Sequence, residues 1–313
     1  MQEFVAALES AGELKRITTP VSSMLEISAI ADRVSKSPAA SVSEHAAAFD
    51  PKHRDLGGHA LLFENVRTPE GEAKFPLLIN AFGSYRRVEM ALGCEAGGLE
   101  ALAQRVGALI KPEPPTGLME KVKKGLELAK VASFAPKVRG SGACQEVVKT
   151  GEQINLFDLP IIKCWPSDGD PAACGWDLSA EQAGVAKGQG RYITLAGVYT
   201  IHPDDAGKPE GQPRPSRNVG MYRMQLLDRH RTAMHWHMHH DGARHWRAWK
   251  QRGEPMPVAL VLGGESVLPY SATAPLPPGI SELLFAGFLN DGSIPLVKCQ
   301  TVDLHVPANA EIV

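Results

Sequence analysis

The stretch Ser216-Arg217-Asn218-Val219-Gly220-Met221-Tyr222-Arg223-Met224-Gln225-Leu226-Leu227 decides how the chain is read. Val219, Met221 and Tyr222 interrupt the polar residues as a strand does, and Leu226-Leu227 runs into the turn signal Asp228-Arg229. A second apolar-polar alternation begins at Thr232, so the pattern predicts a strand followed by its hairpin partner. Side chains alternate between faces along a strand, and Asn218 and Arg223 are an odd number of positions apart. They therefore point to opposite faces unless a bulge near Gly220 re-aims one of them toward a shared site.

The returning strand carries Met234-His235-Trp236-His237-Met238-His239-His240-Asp241-Gly242, and five of the eleven histidines lie between His230 and His240. His235, His237 and His239, spaced by two, share a strand face. Such a row suits either a solvated surface or a site for a cation, a phosphate or a flavin edge, and spacing alone leaves these open.

Composition bounds the rest. The 313 residues suffice for about two domains, and 43% hydrophobic with 22% charged residues is the balance of a soluble globular chain. A net charge of −2, with no basic tail, argues against a nucleic-acid partner. No run approaches the ~18 apolar residues of a membrane span, and no basic segment leads into an apolar one, so a cytoplasmic location is expected. The cysteines (Cys94, Cys144, Cys164, Cys174, Cys299) are odd in number and widely spaced, and read as reduced thiols rather than disulfides or a zinc site.

Residues 1–115 alternate helix and strand signals and read as an α/β module. Phe4, Val5 and Leu8 recur at helical spacing before Gly12, Leu14-Lys15-Arg16-Ile17 reads as a short strand, and Leu25, Ile27, Ile30, Ala31 and Val34 form a helical stripe. Residues 35–58 lack periodicity and read as an irregular insertion or mobile loop. Ala60-Leu61-Leu62-Phe63 and Pro76-Leu77-Leu78-Ile79-Asn80 suit strands buried on both faces. Helices are predicted over 85–92 and 99–110, then Lys111-Pro112-Glu113-Pro114-Pro115 forms a stiff linker. A helix over 118–131 makes 116–135 a helical linker. The composition shifts after Pro136, and from Val147 onward turn signals recur about every 8–12 residues, the spacing of a β-barrel or sandwich. Within it, 204–215 reads as an exposed hairpin loop, 243–251 as a helix with Trp246 and Trp249 facing the core, 258–263 as a buried strand, 281–289 as a helix and 296–306 as a closing strand.

Arg217-Asn218-Val219-Gly220-Met221-Tyr222-Arg223, preceded by Pro160-Ile161-Ile162-Lys163-Cys164-Trp165-Pro166 and followed by Ser281-Glu282-Leu283-Leu284-Phe285-Ala286-Gly287, resembles the UbiD family of (de)carboxylases. Gly12-Glu13-Leu14-Lys15-Arg16-Ile17, Leu62-Phe63-Glu64-Asn65, Lys111-Pro112-Glu113-Pro114-Pro115 and Pro307-Ala308-Asn309-Ala310-Glu311-Ile312-Val313 fall in the family's order over nearly the whole chain. The resemblance implies an α+β fold: the N-terminal α/β module, then a split β-barrel domain at 136–313 that binds prenylated FMN with Mn2+, and K+ at the flavin phosphate. Asn218 and Glu282 match the family's metal ligands. Met221, Tyr222 and Arg223 match its cofactor contacts, and His235, Trp236, His237, His240 and Asp241 fall where further cofactor contacts lie. Arg223 also matches the active-site arginine, whose guanidinium offers a planar two-point donor to a carboxylate. The histidines depart from the pattern, since other members place Arg or Gly at some of these positions.

Taken singly these residues read blandly. Asn218 would be a turn amide, Glu282 a first-turn helix carboxylate favoured by the dipole, and Arg223 a surface charge. In family order they imply non-oxidative decarboxylation of an aromatic or α,β-unsaturated acid, such as a 4-hydroxybenzoate-like quinone precursor. They also imply a flavin prenyltransferase as cofactor supplier and a homo-oligomer in the full-length form. The family's proton-donating acid lies just beyond the match to Glu311-Ile312-Val313, so a truncated chain lacking that loop and the C-terminal domain is expected. Two other readings are a flavin- or metal-binding module without catalysis, and a metal hydrolase built on the histidines.

Overall fold

The structure, a computed structural model, describes residues 1–110, 130–209, 211–276 and 280–313. The proline-rich linker and all but the end of the helix expected over 118–131 lie outside the described residues. The first module runs α1 (Gln2–Ser10), β1 (Leu14–Ile17), β2 (Val21–Ser22), α2 (Glu26–Ser35), β3 (Ala60–Phe63), β4 (Val66–Thr68), β5 (Gly71–Glu72), β6 (Leu77–Ile79), α3 (Tyr85–Leu92) and α4 (Gly98–Ile110). Strand β3 is central, parallel to β1 and antiparallel to β6. Its alternate residues serve two layers: Ala60 and Leu62 pack with Phe4 and Leu8 of α1, while Leu61 and Phe63 pack with Ile27 of α2. Covered on both faces, the strand has no place for a polar residue, and each fully buried Leu or Phe contributes about 1.5–3 kcal/mol.

Residues 35–58 are irregular, as expected, but they are tied down. Ser43 is buried and its hydroxyl donates to Glu89 Oε1 at 2.6 Å. Helix α4 crosses the expected domain boundary in its packing, since its Leu102 joins Tyr199, Val219 and Val261 in one core.

The second half contains β7 (Lys137–Val138), β8 (Tyr192–Ile193), β9 (Gly197–Thr200), β10 (Asn218–Met221), β11 (Arg223–Leu226), β12 (Thr232–His235), α5 (Asp241–Arg252), β13 (Ala259–Gly263), α6 (Leu268–Ser271), α7 (Glu282–Leu289), β14 (Pro295–Lys298), β15 (His305–Pro307) and β16 (Ala310–Ile312). They form three sheets, β10-β9-β13-β16, β12-β11-β8 and β15-β14-β7, which close into no barrel among the described residues. The architecture is a mixed α+β fold. Among the described residues no helix is long and apolar enough to cross a membrane. All five cysteines are free thiols.

Several expectations are corrected. The stretch 216–227 is two strands broken at Tyr222: β10 pairs with β9, whereas β11 pairs with β12 and β8 in another sheet. The register from Asn218↔Thr200 to Met221↔Gly197 is unbroken, so no bulge sits at Gly220. The stretch 192–200 splits in step, β8 going to one sheet and β9 to the other. Much of 143–174 is turns of 3-10 helix, such as Gly151–Gln153, Leu156–Asp158 and Ala172–Cys174, rather than strands. The expected single strand over 296–306 is a β14–β15 hairpin. The loop 204–215 does join β9 to β10, yet Asp205 and Arg214 within it are buried, with Asp205 accepting from the Ser216 N–H at 2.8 Å and Arg214 pairing with Asp303 at 3.1 Å. Of the two tryptophans on α5 Trp249 is core: its indole N–H donates to the Ile201 carbonyl at 2.8 Å, while Trp246 is exposed beneath the Lys250 ammonium.

Candidate functional site

Alternation along β10 puts Asn218, Gly220 and Tyr222 on one face and Val219 and Met221 on the other. The Tyr222 ring folds back over Gly220, where a Cβ would sit 2.3 Å from Cζ, so a side chain at 220 would push the phenol away. Tyr222 is buried, its hydroxyl accepts the Gly242 N–H at the start of α5 at 3.5 Å, and its ring meets His240 at 5.0 Å and the edge of Trp236 at 6.0 Å. The break between the two sheets is thereby seated on the N-terminus of α5.

Glu282 arrives from the other side. Ser281 caps α7, its hydroxyl accepting from the Leu283 N–H at 3.2 Å, which places Glu282 as the first helical residue. Strand β10 is a sheet edge, and the outward Val219 N–H donates to Glu282 Oε2 at 3.1 Å. The carboxylate is thus fixed beside Asn218. Burial pushes Glu282 up to about 7, with Asp241 acting the same way and backbone N–H groups opposing.

Asn218 is buried, and its Nδ2 donates to Thr200 Oγ1 at 3.3 Å across the strand pair. Thr200 Oγ1 lies 2.9 Å from Nδ1 of His245, a fully buried imidazole that burial holds at about 4. Neither Thr200 nor His245 stands out in the sequence. Only the register that sets Thr200 opposite Asn218 identifies them.

Arg223 lies elsewhere. It is exposed on β11, its Nε donates to His235 Nδ1 at 2.6 Å, and its guanidinium carbon is 5.9 Å from the centroid of the Tyr192 ring. Partial burial, then Arg223, His237 and His240, depress the His235 pKa, which keeps Nδ1 an acceptor. His237, His239 and His240 are exposed, their rings 5.2 Å (His237 to His239) and 6.0 Å (His237 to His240) apart. The structure therefore gathers Asn218, Tyr222 and Glu282, with Asp241 near enough to influence both Tyr222 and Glu282. Arg223 and His235 form a second group, linked to the first through His240 against Tyr222. Met221 faces away from both, into a cavity of about 980 Å³ between the two halves, walled also by Tyr192, Thr194, Val261, Leu78 and Phe82. Among the described residues no group of three or more His, Cys, Asp or Glu is arranged to hold a metal ion. Asn218 and Glu282 offer two oxygen donors.

Buried His245 and half-buried Glu282 predict opposite pH effects in the metal-free protein. The folded pKa of His245 lies below its unfolded 6.5, so its contribution to stability is full above pH 6.5 and is lost as pH falls toward 4. The folded pKa of Glu282 lies above its unfolded 4.5, so its contribution appears as pH falls through 7. In wild type the two oppose each other. In Glu282→Gln that opposition is gone, and denaturant unfolding is expected to lose about 3 kcal/mol more between pH 7 and 4.5 than in wild type. An equal slope in both proteins would refute the assignment.

Residues 136–313 match the UbiD domain, described as the 3-octaprenyl-4-hydroxybenzoate carboxy-lyase Rift-related domain, and residues 5–106 match the N-terminal domain of the same carboxy-lyase. The chain belongs to the UbiD family. An uncharacterized protein of Aquifex aeolicus is 42% identical over 312 residues, and one of Archaeoglobus fulgidus is 37% identical over 314 residues. All of this chain aligns with 53% of each, so it spans about half the length of the curated relatives it matches. Among solved structures, vanillic acid decarboxylase of Sedimentibacter hydroxybenzoicus is similar with a TM-score of 0.67 at 22% identity, over 99% of this chain and 52% of that one. The UbiD-class enzyme HmfF of Pelotomaculum thermopropionicum, solved with FMN, gives 0.66 at 23% identity over 99% and 53%. An evolved dimeric form of HmfF, solved with prFMN, gives 0.67 at 23% identity over 99% and 55%. These structural likenesses show that the UbiD fold extends over this chain.

Proposed function

We propose that this UbiD chain forms the flavin- and cation-binding part of a prenylated-FMN-dependent decarboxylase of an aromatic or α,β-unsaturated carboxylic acid. The observation that carries the reading is the half-buried Glu282 carboxylate, anchored by Val219 beside Asn218 and raised by desolvation to a pKa of about 7. A carboxylate in that position is poised for a cation, and carboxylate and amide oxygens suit a hard ion such as Mn2+. Asn218 and Glu282 would be two of its ligands, and the ion, with K+ as a second cation, would supply positive charge for the flavin phosphate. The N-terminus of α5, with His240 as its cap and Asp241 in its first turn, adds a favourable dipole for that phosphate. HmfF, solved with FMN and with prFMN, supports the choice of cofactor.

When bound, prenylated FMN supplies the electron sink that allows CO2 to leave. The chain's own residues position the acid. Arg223 holds the substrate carboxylate through two N–H groups, and its bond to the neutral His235 fixes the guanidinium plane. Tyr192 lies under Arg223 and also lines the interdomain cavity, so the arginine stands at the cavity's margin. Met221 and Val261 give that cavity an apolar wall that excludes water from the reacting carbon. Met221, Tyr222, Trp236 and His237 complete the cofactor surface. We read the sheets as a split β-barrel and residues 1–115, 116–135 and 136–313 as the structural units. A cytoplasmic enzyme of quinone-precursor metabolism, loaded by a flavin prenyltransferase and assembled as a homo-oligomer, fits this reading.

The test is equilibrium dialysis of FMN against the chain with Mn2+ or with EDTA. Binding that tightens with Mn2+ is expected; FMN that fails to bind, or binds equally in both, overturns the proposal.

A further inference from the structure

An asparagine amide can face a site with its oxygen or its nitrogen, and only the oxygen binds a cation. We propose that Thr200 and His245 are positioning residues that lock the Asn218 amide with Oδ1 turned toward the cation, an inference that rests on reading Asn218 as a ligand. Thr200 Oγ1 is 3.3 Å from Asn218 Nδ2 and 2.9 Å from His245 Nδ1. A hydroxyl has one proton and two lone pairs. With the His245 proton assigned to Nε2, Nδ1 takes the hydroxyl proton and the hydroxyl has only lone pairs left for Asn218. It then accepts an amide N–H and rejects the flipped amide, which would set two oxygens against each other.

The state of His245 fits this role. It is fully buried, its ring meets His202 edge-on at 5.8 Å, and Nε2 has no hydrogen-bond partner among the described residues. A buried imidazole with an unsatisfied nitrogen is a poor stabiliser of a core, so its value lies in the contact Nδ1 makes. The Nδ2 end of the amide is then held by Thr200, and Oδ1 is the end turned to the cation.

The test uses Thr200→Val, which keeps the shape and removes the hydroxyl, Thr200→Ser, which keeps the hydroxyl, and His245→Phe. Mn2+ affinity is read by electron paramagnetic resonance with FMN present, and FMN affinity is read separately in EDTA. Thr200→Val and His245→Phe are expected to weaken Mn2+ by about 10–100-fold, the range for outer-shell partners of metal ligands, with FMN affinity in EDTA unchanged. Thr200→Ser is expected to stay within about threefold of wild type. Wild-type Mn2+ affinity in Thr200→Val overturns the proposal, as does equal weakening by Thr200→Ser, which would mark a packing role. Wild-type protein that binds no Mn2+ overturns the ligand reading itself. If His245→Phe fails to fold, the two Thr200 variants still decide.

Discussion

Arg87→Met is expected to lower the unfolding free energy by about 3–5 kcal/mol, because it strands a charge in the core of the N-terminal module. Arg87 and Glu13 are both fully buried and pair at 2.9 Å. The same guanidinium donates to the Gly58 carbonyl at 2.6 Å and to the Gly57 carbonyl at 2.8 Å. Burial pulls the Arg87 pKa down and Glu13 pushes it back up, the signature of a desolvated ion that depends on one partner. The two carbonyls are within reach only because Gly57 and Gly58 take φ of +125° and +53°, with no room for a Cβ at either: one would lie 2.2 Å from a backbone oxygen in both cases. Methionine fills the space and removes every donor, leaving Glu13 with the Ser41 hydroxyl. The double variant Glu13→Leu/Arg87→Met should recover much of the loss, since apolar replacement of a whole buried pair is often neutral. Denaturant unfolding measures both; a single variant as stable as wild type would contradict this view of the pair.

What the sequence reveals about this chain divides along a physical line. The run 60–63 reads correctly because a strand covered on two faces must be apolar throughout, and that is a local property. Ser281-Glu282 reads as a helix start for the same reason, the cap being adjacent to the residue it positions. The order of short motifs points to the family and to Asn218 and Glu282. The break at Tyr222 is invisible, since both sides have strand character and only tertiary pairing assigns them to different sheets. Thr200 and His245 are hidden because their role depends on register and on which face of α5 meets β10. Trp246 and Trp249 differ in burial by helical phase, which a local pattern does not orient toward a core. Asp205 and Arg214 look like loop charges until Ser216 and Asp303 are seen to hold them.

Glu282→Gln is expected to weaken Mn2+ by more than about 100-fold, beyond the range of an outer-shell change, because it removes the charged oxygen that the protein is proposed to supply to the ion. The amide can still accept from the Val219 N–H, so the α7–β10 contact survives. Metal-free Glu282→Gln should also be at least as stable as wild type at pH 8, where the wild-type carboxylate is ionised against its burial. Loss of function with no loss of stability separates a ligand from a structural residue. The most direct measurement is phosphorus-31 electron–nuclear double resonance on Mn2+ bound to the chain with FMN. A phosphorus coupling in wild type that vanishes in Glu282→Gln is the predicted result. Bound Mn2+ without phosphorus coupling, or a coupling that persists in Glu282→Gln, would contradict a cation held by Glu282 at the flavin phosphate.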